Sequence, residues 1–253
     1  MNFTILRFDT LDSTNTEAAK QARQGAEEGL CIIAERQTAG RGRHGRLWVS
    51  EEGAGLYMSV VLRPRLDAKD LSLITLMAGV AVYDTLKEFH ITPDIKWVND
   101  VLVNDKKISG ILAEAVETPG GLAVIVGIGI NLRSNRFPAE IAESATSMEA
   151  ETPLTGGFGP RAIEKHRVET RLTGFFSYWY EILSGENGVT EIIQNWRQRS
   201  SYFSGKQVLV TLPDGIVQGI TDGLEPNGAL RVRSADGTIT VVQAGDVERM
   251  RTI

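Results

Sequence analysis

Residues 122–132 read LAVIVGIGINL. An almost unbroken apolar run of this length predicts a strand buried on both faces. The segment DLSLITLMAGVAVYDTLKEFH (70–90) carries Leu73, Ile74, Met77, Val80 and Ala81 at helical spacing, which predicts an apolar helix. Two further helices are expected at RVETRLTGFFSYWYEIL (167–183) and VTEIIQNWRQR (189–199). Another is expected from Thr14 to about Ala26, where Thr14 and Glu17 have the spacing of a capping box. FTILRF (3–8), LCIIAERQ (30–37) and GLYMSVVLRP (55–64) read as strands, the last ended by Pro64. DIKWVNDVLVNDKKISGILAEAVE (94–117) reads as a hairpin turning at Asn104-Asp105.

From about Phe203 the texture changes. KQVLVTL, GIVQGIT, ALRVRS and TITVVQA are short strand candidates. They are separated by Pro213-Asp214-Gly215, Pro226-Asn227-Gly228 and Asp236-Gly237, all turn chemistry. This predicts a small antiparallel barrel, and a unit below roughly 70 residues has a thin core and leans on a larger neighbour. The expected division is 1–202 for the main domain and 203–253 for the barrel. AETPLTGGFGP (150–160) is the most loop-like stretch and reads as a surface excursion.

Hydrophobic residues make up 42% of the 253-residue chain and the net charge is -5. That allows an ordinary core and disfavours a dedicated nucleic-acid binder, which carries a basic balance or face. One cysteine, Cys31, excludes an internal disulfide framework and any cysteine-based zinc site. It sits in an apolar strand and reads as core. The N-terminus has no signal-peptide pattern, and no 18 apolar residues run together, so a cytoplasmic protein off the membrane is expected.

Against that acidic background, TAGRGRHGRLWVS (38–50) has no acid between Glu35 and Glu51. Gly40, Gly42 and Gly45 match the dinucleotide fingerprint by letter, yet RLWVSEEGAG follows where a helix should open. The spacing of Gly40 and Gly45 also approaches the P-loop, but Arg46 and Leu47 stand where its lysine and hydroxyl belong. A passive, solvated basic loop is the plain alternative. Anion binding is favoured: the loop lies between two apolar strands and carries Trp48. Glycines let backbone N–H groups approach an anion, and arginines add planar, permanently charged forks.

A second polar constellation is Lys96-Trp97-Val98-Asn99-Asp100, followed by Lys106-Lys107-Ile108-Ser109-Gly110. In one continuous strand Lys96 and Asp100 share a face and Asn99 takes the other. It is either a hairpin with solvated charges or a carboxylate and amide beside metal-bound phosphates. No nucleophile motif is present, and His44, His90 and His166 lack metal-ligand spacing.

These stretches together resemble the biotin–protein ligases. The matching segments are GRGRxGRxW at Gly40–Trp48, KWxND at Lys96–Asp100 and KxxGIL at Lys107–Leu112. An early Ser13-Thr14-Asn15, a GIGxN strand end at Gly127–Asn131 and Ala145-Thr146-Ser147 also match. The resemblance covers essentially the whole chain. Val98 replaces the usual proline, and His44 replaces an arginine, a permanent charge exchanged for a titratable one.

The resemblance implies an α+β fold: a mixed-sheet catalytic domain of the biotin/lipoate ligase, class II synthetase-like type, with packed helices and a C-terminal SH3-like barrel. It implies a two-step reaction in which ATP and biotin give biotinyl-5′-AMP, and a lysine of a biotin carboxyl carrier domain of a carboxylase then takes the biotin. Ser13, Thr14, Asn15, Gln37, Gly40, Arg41, Trp48, Lys107 and Gly110 would bind biotin. Arg41, Arg43, Arg46, Trp48, Lys96, Asn99 and Asn131 would bind ATP or the adenylate. Catalysis would rest on Lys107, Arg43, Arg41 and Asp100, with Lys106 a lesser neighbour of Lys107. Asp100 would support Mg²⁺ or activate the incoming lysine. Family members that repress transcription carry an N-terminal helix-turn-helix for which this chain has no room, so DNA binding is not expected. Some members pair through sheet edges, which admits a homodimer. The rival readings are a lipoate or octanoate ligase, a biotin sensor without turnover, and a nucleic-acid module using the arginine loop.

Overall fold

A computed structural model describes residues 1–133, 137–152, 163–212, 215–243 and 245–249. The main sheet holds β1 (Thr4–Leu11), β2 (Leu30–Gln37), β3 (Gly55–Leu62), β4 (Asp94–Lys96), β5 (Asp100–Val103), β6 (Lys106–Thr118) and β7 (Gly121–Asn131). Their order across the sheet is β1-β2-β3-β7-β6-β5-β4. β1 and β2 run parallel, joined through helix α1 (Thr14–Arg23). The other neighbours are antiparallel, so the sheet is mixed, as expected.

β7 lies at the centre, and alternation along it assigns its two faces. Val124, Val126, Ile128 and Ile130 join one core with Cys31, Ile33, Leu56, Met58 and Val60. That face is covered by α2 (Leu73–Glu88), α4 (Lys165–Leu183) and α5 (Gly188–Gln198). Ala123 and Ile125 point the other way, into a smaller cluster with Leu30, Ile32, Val61 and Val116 beneath Ala18 and Ala22 of α1. Helix α1 is only 10 residues long, and the cluster beneath it reaches along β7 as far as Ile125. Gly127 and Gly129, next on that face, are left for something else.

Three local expectations change. The capping box does not form: Ser13 is the N-cap, and its side chain makes no capping bond. The backbone N–H of Thr14 donates instead to Gln37 Oε1 at 2.8 Å, so a strand side chain satisfies the first turn. Glu17 accepts from Gln21 Nε2 at 2.7 Å, and this bond holds its carboxyl below the ordinary value. The 94–117 segment is two hairpins, not one. Trp97–Asn99 joins β4 to β5, with a cis Trp97–Val98 bond, and Asn104-Asp105 joins β5 to β6. Asn104 and Asp105 have φ of 51° and 61°, the left-handed pair a tight hairpin turn needs. Lastly, α1 stops at Arg23 rather than near Ala26.

The C-terminal segment forms β8 (Ser204–Leu212), β9 (Gly215–Leu224), β10 (Leu230–Arg233), β11 (Ile239–Val242) and β12 (Asp246–Arg249). The sheet is antiparallel in the order β11-β10-β9-β8-β12, and among the described residues no ladder joins β11 to β12. It leans on the main body as its size requires. Val208, Val210, Leu230 and Val232 share one core with α2 and α4. The Trp97 indole N–H donates to the Gly228 carbonyl at 2.9 Å. Of the 150–160 excursion, Ala150 and Glu151 end a short helix, α3 (Met148–Glu151); 153–162 lie outside the described residues, as do Pro213 and Asp214. No helix among the described residues is long and apolar enough to cross a membrane.

Candidate functional site

At the N-terminal start of α1, the sheet face opens into a cavity of about 140 Å³. Its floor follows from strand register. Tyr57 of β3, Gly129 of β7, Gly110 of β6 and Asp100 of β5 stand side by side in one row across the sheet. Ser59, Gly127 and Leu112 form the neighbouring row, about 7 Å away along the strands.

The glycines are required by close approach. A Cβ on Gly127 would stand 2.1 Å from Asn15 Oδ1, and one on Gly129 would stand 2.4 Å from Trp48 Cε2. Asn15 therefore sits directly on one row and the Trp48 indole on the next.

The row of Ser59 and Gly127 carries neutral polar groups. Ser13, Thr14 and Asn15 are buried at the start of α1. Thr14 Oγ1 donates to Gln37 Oε1 at 3.0 Å, and Gln37 Nε2 donates to Ser50 Oγ at 2.7 Å. Ser59 Oγ lies 2.7 Å from both Thr14 Oγ1 and Asn15 Oδ1. Ser59 is fully buried, in a strand buried at every position.

The row of Gly129, Gly110 and Asp100 carries charge. Lys107 Nζ is 2.6 Å from Asp100 Oδ1 and 5.4 Å from the Trp48 ring centre. Lys96 Nζ lies 3.7 Å from Asp100 Oδ2. Lys96 and Asp100 face the same way because they pair across the β4–β5 hairpin, not because they alternate along one strand. Asn99 sits in the turn; its amide donates to the Ile111 carbonyl at 3.0 Å, and its oxygen accepts from Arg43 at 3.2 Å. The buried Trp48 indole N–H has no hydrogen-bond partner among the described residues, so it is a donor available to a ligand.

The arginine loop folds back over these rows. Gly42 N–H donates to the Arg46 carbonyl at 2.7 Å, Trp48 N–H donates to the Gly40 carbonyl at 2.9 Å, and Arg41 bridges Leu47. At its tip His44 and Gly45 take left-handed backbone, with φ of 53° and 73°. No helix opens after the glycines, in line with the rejection of a dinucleotide site. Arg41 pairs with Glu114 at 2.6 Å, and Arg43 also donates to the Gly245 carbonyl at 3.1 Å.

Most of the expected residues meet here. Ser13, Thr14, Asn15, Gln37, Trp48 and Gly110 line the cavity, as do Arg41, Arg43, Arg46, Asn99, Asp100 and Lys107. Gly40, Lys96 and Asn131 do not. A Cβ on Gly40 would stand 2.3 Å from the Trp48 carbonyl, so this glycine serves the loop's own packing. The Asn131 amide donates to the carbonyls of Lys107 (3.3 Å) and Thr146 (3.0 Å), so it braces the backbone that presents Lys107. Lys106 is exposed and off the wall. Tyr57, Ser59 and Glu114 were missed. Only Ser59 left a signal, as the one aliphatic hydroxyl in GLYMSVVL. Burial pushes the Tyr57 phenol far above its ordinary value, and its hydroxyl donates to the Glu51 carbonyl at 2.9 Å.

Cys31 is core, its thiol pushed by burial to about 12. Among the described residues no cluster of histidine, cysteine and acid side chains could by itself hold a metal ion. Among the described residues Asp100 is the one carboxylate on the cavity wall, which it shares with Arg41, Arg43, Arg46 and Lys107. That set fits Mg²⁺ carried on phosphates, since this ion keeps waters and needs only one or two protein carboxylates.

Residues 7–131 match the Biotin/lipoate A/B protein ligase family, and residues 203–250 match the Biotin protein ligase C terminal domain. A bifunctional ligase/repressor BirA of Bacillus subtilis is 34% identical, over 96% of this chain and 73% of the relative. A biotin–[acetyl-CoA-carboxylase] ligase of Paracoccus denitrificans is also 34% identical, over 93% of this chain and 96% of that one. In structure, a biotin protein ligase from Aquifex aeolicus in complex with biotin and ATP superposes with a TM-score of 0.83. Its identity is 28%, covering 98% of this chain and 99% of that chain.

Proposed function

The chain belongs to the Biotin/lipoate A/B protein ligase family, and we infer that it works as an ATP-dependent biotin–protein ligase. It activates biotin as biotinyl-5′-AMP and transfers biotin to a lysine of a biotin carboxyl carrier domain. One observation carries the reading to these residues: adjacent rows of one sheet face hold a neutral hydrogen-bonding cluster and a cationic cluster, with the Trp48 indole lying on Gly129 of the second. A ligand with a neutral polar ring at one end and a carboxylate, then a phosphate, at the other matches that polarity. The C-terminal match and the named relatives favour biotin over lipoate.

In the first step a biotin carboxylate oxygen attacks the α-phosphorus of ATP and pyrophosphate leaves. Ser13, Thr14, Asn15 and Gln37 hold the ring. Lys107, Arg41, Arg43 and Arg46 bring carboxylate and phosphate together and neutralise the charge that develops on the phosphate oxygens. Asp100 would hold Mg²⁺ carried on ATP, and the ion would supply charge shielding to the phosphates. In the second step the carrier lysine amine attacks the acyl carbon, the acyl–phosphate bond breaks, and AMP leaves. The loop over Trp48 keeps water from the mixed anhydride in the interval. DNA is no part of this reading: the cationic groups on the cavity wall serve a small anion in a chain of net charge -5.

Biotin-dependent exchange of label between pyrophosphate and ATP tests the reading. Exchange dependent on lipoate, or biotin binding without exchange, overturns it.

A further inference from the structure

Glu114 extends the alternation that places Gly110 and Leu112 on the cavity side of β6, one register row beyond the floor and opposite Ile125. Its two carboxylate oxygens serve two different donors. Oε2 accepts from Asn15 Nδ2 at 2.8 Å, and Oε1 accepts from Arg41 Nη2 at 2.6 Å. Asn15 is buried at the start of α1, and Arg41 is half-exposed on the glycine loop. One side chain thus ties the neutral cluster to the cationic loop.

We propose that Glu114 is a positioning residue of the adenylation site, setting Asn15 and Arg41 at once through its two oxygens. This rests on the ligase reading above. The Asn15 amide is fully specified: Nδ2 faces Glu114 and the Leu112 carbonyl (3.2 Å), and Oδ1 faces Ser59. Both Nδ2 partners are acceptors, so the amide cannot flip without setting oxygen against oxygen. Arg41, flanked by Gly40 and Gly42, has a long side chain on permissive backbone. An isolated exposed ion pair would do little to order it. Here the carboxylate is itself pinned by a buried asparagine, and a guanidinium bound through one Nη2 keeps further donors for an anion.

Only a carboxylate of this length fits. Glutamine presents one oxygen and one NH₂ group, so either Asn15 or Arg41 meets a donor instead of an acceptor. Aspartate is shorter by one carbon–carbon bond, about 1.5 Å.

The test uses the full chain, with biotin binding measured by calorimetry and activity by biotin-dependent ATP–pyrophosphate exchange. Glu114→Gln and Glu114→Ala are expected to weaken biotin binding and to slow exchange, each by about tenfold or more. The discriminating readout is non-additivity. Glu114→Ala should have a smaller effect on the Asn15→Ala or the Arg41→Ala background than on the wild type, and should change binding and exchange by less than about twofold when both partners are alanine. Single variants matching the wild type, or full effects persisting in both backgrounds, overturn the proposal. Glu114→Gln, which keeps the volume, carries the test where the alanine variant does not fold. A wild-type chain with no biotin-dependent exchange overturns the ligase reading and this proposal with it. A wild-type chain that exchanges beside unaffected Glu114 variants overturns this proposal alone.

Discussion

At the scale of single residues, Lys107 carries the sharpest expectation. Its ammonium stands 2.6 Å from Asp100 and beside Trp48, with its backbone braced by Asn131 and by the Ser144 carbonyl. Removing one preorganised charged donor costs about 10²–10³ in rate. Lys107→Ala should lose that much pyrophosphate exchange, and a variant within about threefold of wild type would take Lys107 out of the role. Cys31 is expected to behave as the opposite kind of residue. Burial holds its thiol at about 12 against an ordinary 9.0, so between those values the folded chain keeps a proton the unfolded chain has released. Stability should therefore fall as pH rises through that window. At pH 8 a thiol reagent should label Cys31 in urea and scarcely at all in buffer. Lys107, Asp100 and Trp48 were legible because each sits in a short motif with unusual chemistry. Glu114 and Tyr57 were not, because they matter only through partners that strand pairing and loop folding bring to them from far away in sequence.

At the scale of elements, β7 shows how one strand serves two purposes. Its apolar alternation builds the core on one face, and on the other Gly127 seats Asn15 at the start of α1 and Gly129 seats the Trp48 indole. Gly129→Ala should push the Trp48 indole off its seat, lower stability by about 1–3 kcal/mol and weaken biotin binding, both measurable by tryptophan fluorescence with and without biotin. The arginine loop holds itself in a small hairpin and also reaches Asn99 and Gly245. It remains the segment we expect ligands to order further. Trypsin cleavage after Arg41, Arg43 and Arg46 should slow with biotin and ATP together; equal rates with and without them would count against a lid. The 94–117 segment was read as one hairpin because Asn104-Asp105 is a strong turn signal, whereas nothing local in Trp97-Val98-Asn99 marks a turn.

At the scale of the molecule, the C-terminal sheet is not a separable ornament. Its valines share a core with α2 and α4, Gly228 packs so closely that a Cβ would stand 2.8 Å from Leu76 Cδ1, and Gly245 gives its carbonyl to Arg43 in the site. Unfolding should therefore be a single cooperative transition. Leu76→Ala should lower its stability by about 2–5 kcal/mol, with near-ultraviolet dichroism and proteolysis of 203–253 shifting together. Two resolved transitions would show that the sheet stands alone.

Local signals in the chain specify most of the longer strands and helices, the buried strand at the centre, the small β-rich C-terminal segment and the residues that carry unusual chemistry. Each is a local signal: periodicity, turn residues, a cluster of arginines among glycines. Tertiary structure decided which face of β7 became the floor, that Lys96 and Asp100 meet across a turn, that Asn131 braces instead of lining the cavity, and that Glu114 joins the two halves of the site. Those outcomes depend on strand register, and register is set by how all the faces of the sheet are buried at once, a condition no short stretch of the chain contains.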